Sequence, residues 1–191
     1  MTVKLFLDAT PGAVQTLRVR ALYVDGALKE FTTGEAHDIT DEQFSVQRAY
    51  RVNDALPGDG HDVPKWRWQR GNWLLVDRNS GRISVVRLPD FEPFYSAGAW
   101  YRDYVAYCGL GDNGEKLYAI VAQVGIHKPL LRNFLLRVTG TEAQSPCGHP
   151  VWQREPMRVT FSLADGQKTT FNVHGHAASA LETPSEESES K

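Results

Sequence analysis

The run Leu117-Tyr118-Ala119-Ile120-Val121-Ala122 carries no charged or amide side chain. A strand with one wet face alternates polar and apolar residues. This run does not, so it requires cover on both faces and a place inside a sheet. Just before it, Gly111-Asp112-Asn113-Gly114 supplies residues that tolerate positive φ, as a short hairpin turn demands. The spacing predicts strands over 101–109 and 116–124 joined by that turn.

The flanking sequence repeats the theme in weaker runs. Residues 17–24 alternate and then become apolar up to Asp25-Gly26, and 27–32 suit a returning partner. Ile39-Thr40-Asp41-Glu42-Gln43 suits one helical turn capped by Thr40. Phe44, Val46, Tyr50 and Val52 recur at even spacing, which predicts a strand with one wet face. Residues 53–64 contain Pro57, Gly58, Gly60 and Pro64 and read as a loop. Lys65-Trp66-Arg67-Trp68-Gln69-Arg70 reads as a strand, with Gly71-Asn72 turning the chain after it. A hairpin over 73–88, a strand over 130–139 and a cleanly alternating hairpin over 157–173 complete the series. From residue 176 the chain is Ala-, Ser- and Glu-rich, with no large hydrophobe after Leu181 to build a core. Residues 176–191 are therefore expected to form a disordered acidic Ser/Glu tail. Roughly ten short strands with regular turn signals and little helix predict a single all-β domain. It spans 1–175 and is built of antiparallel hairpins as a sandwich, a barrel or propeller-like sheets.

Composition narrows the function classes. A chain of 191 residues has room for one substantial core. A net charge of -2 gives no pull toward nucleic acid or an anionic membrane. No apolar run reaches the ~18 residues of a membrane helix. The apolar start at 1–8 is too short for a signal peptide, which places the sequence as given in the cytoplasm. The small residues over 9–14 also suit the start of an exported domain, such as a periplasmic one, whose signal segment is missing. Cys108 and Cys147 permit one disulfide without requiring it. Such a bridge would add about 4 kcal/mol in the chain-entropy model and would favour an oxidising compartment.

Residues 73–88 and 100–124 each combine an apolar strand, an Asn/Gly turn and a second apolar strand. The second, with Asp112-Asn113-Gly114-Glu115-Lys116-Leu117-Tyr118, resembles the inner hairpin of a TolB-type β-propeller blade. The resemblance implies a non-catalytic scaffold or interaction role and carries over no catalytic or binding residue.

Three groups of residues are candidates for chemistry. Trp66, Trp68 and Trp73 accompany Arg67 and Arg70, with Lys65, Arg78, Arg82 and Trp100 nearby in sequence. Exposed Trp with interleaved cations stacks on sugar rings or bases, and Arg binds phosphate or uronic acid. The competing reading puts Trp66 and Trp68 in the core and Lys65 and Arg67 in solvent, because a binding face would want aromatics and cations together. Cys147 with His149, and His174 with His176, place two metal ligands at i, i+2, which suits zinc if the pairs meet. A thiolate ligand at Cys147 and a disulfide to Cys108 exclude each other. Nucleophilic chemistry lacks a Gly-x-Ser-x-Gly elbow; Ser80, Ser96 and the acids Asp59, Asp62, Asp77 and Asp103 offer only unconstrained triads. Phosphate-cradling glycine motifs are absent.

These observations favour a non-enzymatic binding or interaction module, with no cofactor expected and a glycan or a protein as partner. The surface expected to bind is 65–73 with its neighbouring loop at 57–64. The alternatives are a small hydrolase acting on glycans or esters and a structural subunit of a protein assembly.

Overall fold

The computed structural model describes residues 1–6, 14–24, 27–53, 66–93, 95–138 and 146–174. The expected tail at 176–191 and the loop at 57–64 lie outside these residues. The described chain is all-β and antiparallel, and contains no α-helix. The first sheet holds β1 (Thr2–Phe6), β2 (Val14–Val24), β3 (Ala27–Asp38), β4 (Gln43–Asn53), β5 (Trp66–Asp77) and β6 (Ile83–Val85) in chain order. The second holds β7 (Ala99–Tyr101), β8 (Tyr104–Gly111), β9 (Lys116–Gln123) and β10 (Leu131–Arg137). The third holds β11 (Val151–Gln153), β12 (Arg158–Ser162) and β13 (Lys168–Asn172).

The central hairpin is β8–β9, and it is covered on both faces as its apolar run predicts. On one face Ala106, Cys108, Leu117, Ala119 and Val121 pack against Val159, Phe161 and Leu163 of the third sheet and its flank. On the other, Val105, Tyr107, Tyr118 and Ile120 meet Leu88, Phe91 and Trp100. Full burial of a side chain such as Phe161 stabilises the fold by roughly 1.5–3 kcal/mol. The segment between the first two sheets is pinned to β8. Tyr107 donates to the Pro89 carbonyl at 2.7 Å and Ser96 to the Cys108 carbonyl at 2.7 Å. Gly109 permits this approach, since a Cβ there would stand 2.4 Å from Ile120 Cδ1 and 3.0 Å from the Asp90 carbonyl. Cys108 and Cys147 sit at disulfide distance, with Cα atoms 6.3 Å apart, tying β8 to the third sheet.

The turn residues behave as their chemistry suggests. Asp112, Asn113 and Gly114 take φ of 52°, 60° and 91°. Lys116 (2.7 Å) and the Tyr118 hydroxyl (2.9 Å) hold the Asp112 carboxylate, and these two contacts lower its pKa. The strand expected over 101–109 is divided. Arg102 (φ 52°) starts a two-residue turn, and Tyr101 pairs with Tyr104 as β7 doubles back on β8.

Three local expectations are corrected. Residues 39–42 form a bend rather than a helical turn. Thr40 still acts as a cap, its Oγ accepting from the amides of Glu42 (3.3 Å) and Gln43 (3.1 Å). The β4 face expected to be wet is partly buried, with Ser45 wholly covered and Ala49 at 1% exposure. Finally, Gly71-Asn72 does not turn the chain. Residues 66–77 form one strand carrying a bulge, because Ala49 pairs with Arg70 while Gln47 pairs with Trp73. The extra residue reverses the facing of everything after it. Gly71 is needed there: a Cβ would meet Tyr50 Cε1 at 2.9 Å, and Gln47 Nε2 donates to its carbonyl at 3.3 Å.

The first sheet is strongly curled. Four strand spacings separate β1 from β5, about 19 Å in a flat sheet, yet the two strands touch. Val3, Leu17, Val19, Phe31, Ala49 and Trp68, drawn from β1 to β5, gather on the inner face. Val46, Leu74 and Val76 form a separate cluster on the opposite face of the sheet.

Candidate functional site

The candidate site is the inner face of β4 and β5, which has two halves. In the half that follows the bulge, the second sheet covers it. Trp73 is 9% exposed and meets Trp100 edge-on at 5.1 Å between ring centres. His37 stacks on the same Trp100 at 5.5 Å and donates from Nε2 to the Arg102 carbonyl at 2.7 Å. Trp73 is therefore placed in the junction between two sheets, away from solvent.

The half that precedes the bulge lines the concavity of the curled sheet, where Trp68 packs with Leu17, Val19 and Ala49, and Trp66 stands exposed at its end. Side chains at alternate positions share a face, so Trp66, Trp68 and Arg70 line up with their cross-strand partners Asn53, Arg51 and Ala49. Trp66 is 47% exposed, and the Arg51 guanidinium lies 4.6 Å from its ring centre. Trp68 is half-buried against Phe31, edge-on at 5.1 Å. Arg70 is half-buried beside Ala49, and loss of hydration lowers its pKa. Arg67 lies on the opposite face. Of the five aromatic and basic residues predicted to bind, the structure groups Trp66, Trp68 and Arg70 and sets Arg67 and Trp73 apart. Arg51 joins the group unforeseen. Its signal in the sequence was its place in an alternating strand; the register sets it opposite Trp68, and only the folded side chains show that it stacks on Trp66.

Cys147 stands at disulfide distance from Cys108, so it is not a free thiolate. His149 Nδ1 lies 3.1 Å from the Pro150 carbonyl, His174 is exposed, and His176 lies outside the described residues. Among the described residues no cluster of His, Cys, Asp and Glu could hold a metal ion. Ser80 donates to Asp77 Oδ1 at 2.8 Å, and the amides of Ser80 (2.8 Å) and Asn79 (3.1 Å) bind the same oxygen. Those contacts close the β5–β6 turn, and the Ser80 bonds above all lower the Asp77 pKa. Asp103 accepts from Gln123 at 2.7 Å. Asp59 and Asp62 lie outside the described residues.

An open cleft of about 430 Å³ lies at the end of the first sheet, lined by Asn72, Val85, Arg87, Leu88, Phe91 and His127, among others. Burial and the charge of Asp90 raise the pKa of Tyr107, whose hydroxyl serves the fold. No helix of the described residues is long and apolar enough to cross a membrane. No protein family, curated protein or solved structure matches this chain.

Proposed function

We propose that the protein is a non-enzymatic binding module whose ligand lies at the exposed end of the inner face, against Trp66 and Arg51. One observation carries the reading: a half-exposed indole with a guanidinium at 4.6 Å on the same sheet face. Aromatic and cation stand together there, as a stacking surface requires. The strand pairing of β4 with β5 holds both, so the surface is formed before the ligand arrives. Sugar rings are the favoured ligands. They present flat apolar faces to an indole, and the chain's net charge of -2 disfavours nucleic acid. The TolB-type resemblance of the central hairpin supports a scaffold role for the second sheet.

A glycan array probed with the wild-type protein and with Trp66→Ala tests the proposal. The wild type is expected to retain a defined set of glycans and the variant to lose them while melting normally. Retention of the same glycans by Trp66→Ala, or no retention by the wild type, would overturn it.

A further inference from the structure

Arg70 differs from several other cations of this fold, each of which holds a carboxylate. Arg48 reaches Glu30 at 2.8 Å, Lys116 reaches Asp112 at 2.7 Å, and Arg132 reaches Asp90 at 3.0 Å. Arg78 is paired with Asp38. Among the described residues Arg70 has no carboxylate partner, although it is half-buried in the apolar concavity that holds Phe31 and Trp68. A guanidinium that gives up hydration without an anion carries a cost in the free protein. An incoming anion would remove that cost, and a planar guanidinium suits a carboxylate through two parallel hydrogen bonds.

We propose that the ligand of this face is an acidic glycan and that Arg70 is the residue that reads its charge, seating a uronate carboxylate while a more distant ring of the same glycan stacks on Trp66. This assignment rests on the binding-module reading of the same face and adds the class of ligand. Trp66 and Arg70 are four positions apart on one strand, about 13 Å along it. Trp68 lies between them, edge-on to Phe31. The span exceeds a single sugar ring, so the occupant is an oligosaccharide. Arg51 contributes a second cation at the Trp66 end.

The test uses the full chain and a matched pair of probes: tetragalacturonate and its fully methyl-esterified form, which keeps the rings and removes the charge. Calorimetry gives the affinities, and the Trp66 indole N–H resonance reports contact. The acid is expected to bind at least about tenfold tighter than the ester, a difference of about 1.4 kcal/mol. Arg70→Gln is expected to remove most of that preference, leaving what Arg51 supplies, while the ester still shifts the Trp66 signal. Arg70→Lys keeps the charge without the planar fork and is expected to retain part of the preference; it also serves if the Gln variant folds poorly.

Equal affinities for the two probes, or a preference undiminished in Arg70→Gln, would overturn the assignment to Arg70. A Trp66 shift in those same titrations would leave the binding face standing. No shift with either probe would overturn the acidic-glycan assignment, while the array decides the binding face separately. Tighter binding of an oligothymidylate than of tetragalacturonate would make the ligand a single-stranded nucleic acid and overturn the proposal.

Discussion

Trp66 and Trp73 belong to one strand and point to the same side of one sheet, yet their surroundings are opposite. Trp73 meets Trp100 and is 9% exposed, while Trp66 is 47% exposed under the Arg51 guanidinium. Neither residue type nor local conformation separates them. The difference is that the second sheet docks on Trp73, whereas Trp66 stands at the strand end, beyond the core that holds Trp68. The same aromatic side chain thus works as core in one place and as surface in the other. A Trp in an alternating strand is assigned a role by what packs on its face, which is a tertiary fact.

The sharpest way to break this comparison is truncation at the covered end. Trp73→Ala is expected to cost about 3–5 kcal/mol, as for other large aromatic truncations in a core. Denaturant melts measure it, and a loss below about 1 kcal/mol would mean that Trp73 is not core. Next comes the bulge that brings Trp73 onto this face. Gly71→Ala forces a methyl against Tyr50 and is expected to cost about 1–3 kcal/mol, again by denaturant melts. A stable variant with unchanged tryptophan fluorescence would show that the glycine is dispensable there.

At the open end the effect on stability should be small. Trp66→Ala is expected to change stability by no more than about 0.5 kcal/mol, as exposed substitutions do. It is expected to abolish glycan retention, so binding and stability separate at Trp66 and stay joined at Trp73. A large fall in melting temperature for Trp66→Ala would collapse the distinction between the two halves.

The smallest effect is at Asp77, which ends β5 beyond Trp73. Its folded pKa lies below the ordinary carboxylate value because Ser80 and Asn79 donate to it. A depressed pKa contributes stability that is fully present above the unfolded value near ~4. That contribution is lost as the pH falls through the lower folded value. Acid titration of the Ser80 amide resonance should therefore show the turn holding until below the usual Asp range. Asp77→Asn should remove this pH dependence with little change at neutral pH. A Ser80 signal that titrates at an ordinary Asp pKa would argue against these bonds.

Much of this was legible along the chain. The unbroken apolar run at 117–122 determined a doubly covered strand, and the Asp-Asn-Gly turn before it determined a hairpin. Alternation over 157–163 determined which residues of β12 face inward. The reason is physical: strand periodicity and positive-φ tolerance are local properties, written residue by residue. The candidate site was legible only in part. Trp66, Trp68 and Arg70 stood out by type, but Arg51 enters the group through its register with β5, and Arg67 leaves it by facing.

The sequence by itself determined an all-β chain, its central hairpin and the turn chemistry that closes it. The tertiary structure alone decided that Gly71-Asn72 is a bulge and not a turn, because Tyr50 of the neighbouring strand occupies the space that a side chain would need. It also decided that one Trp is buried and another exposed, because cover comes from a sheet whose nearest strand, β7, begins more than twenty residues after β5 ends. The half-buried Arg70 belongs with these. Its lack of a carboxylate partner among the described residues is a property of the curled sheet around it, and no pattern along the chain records that.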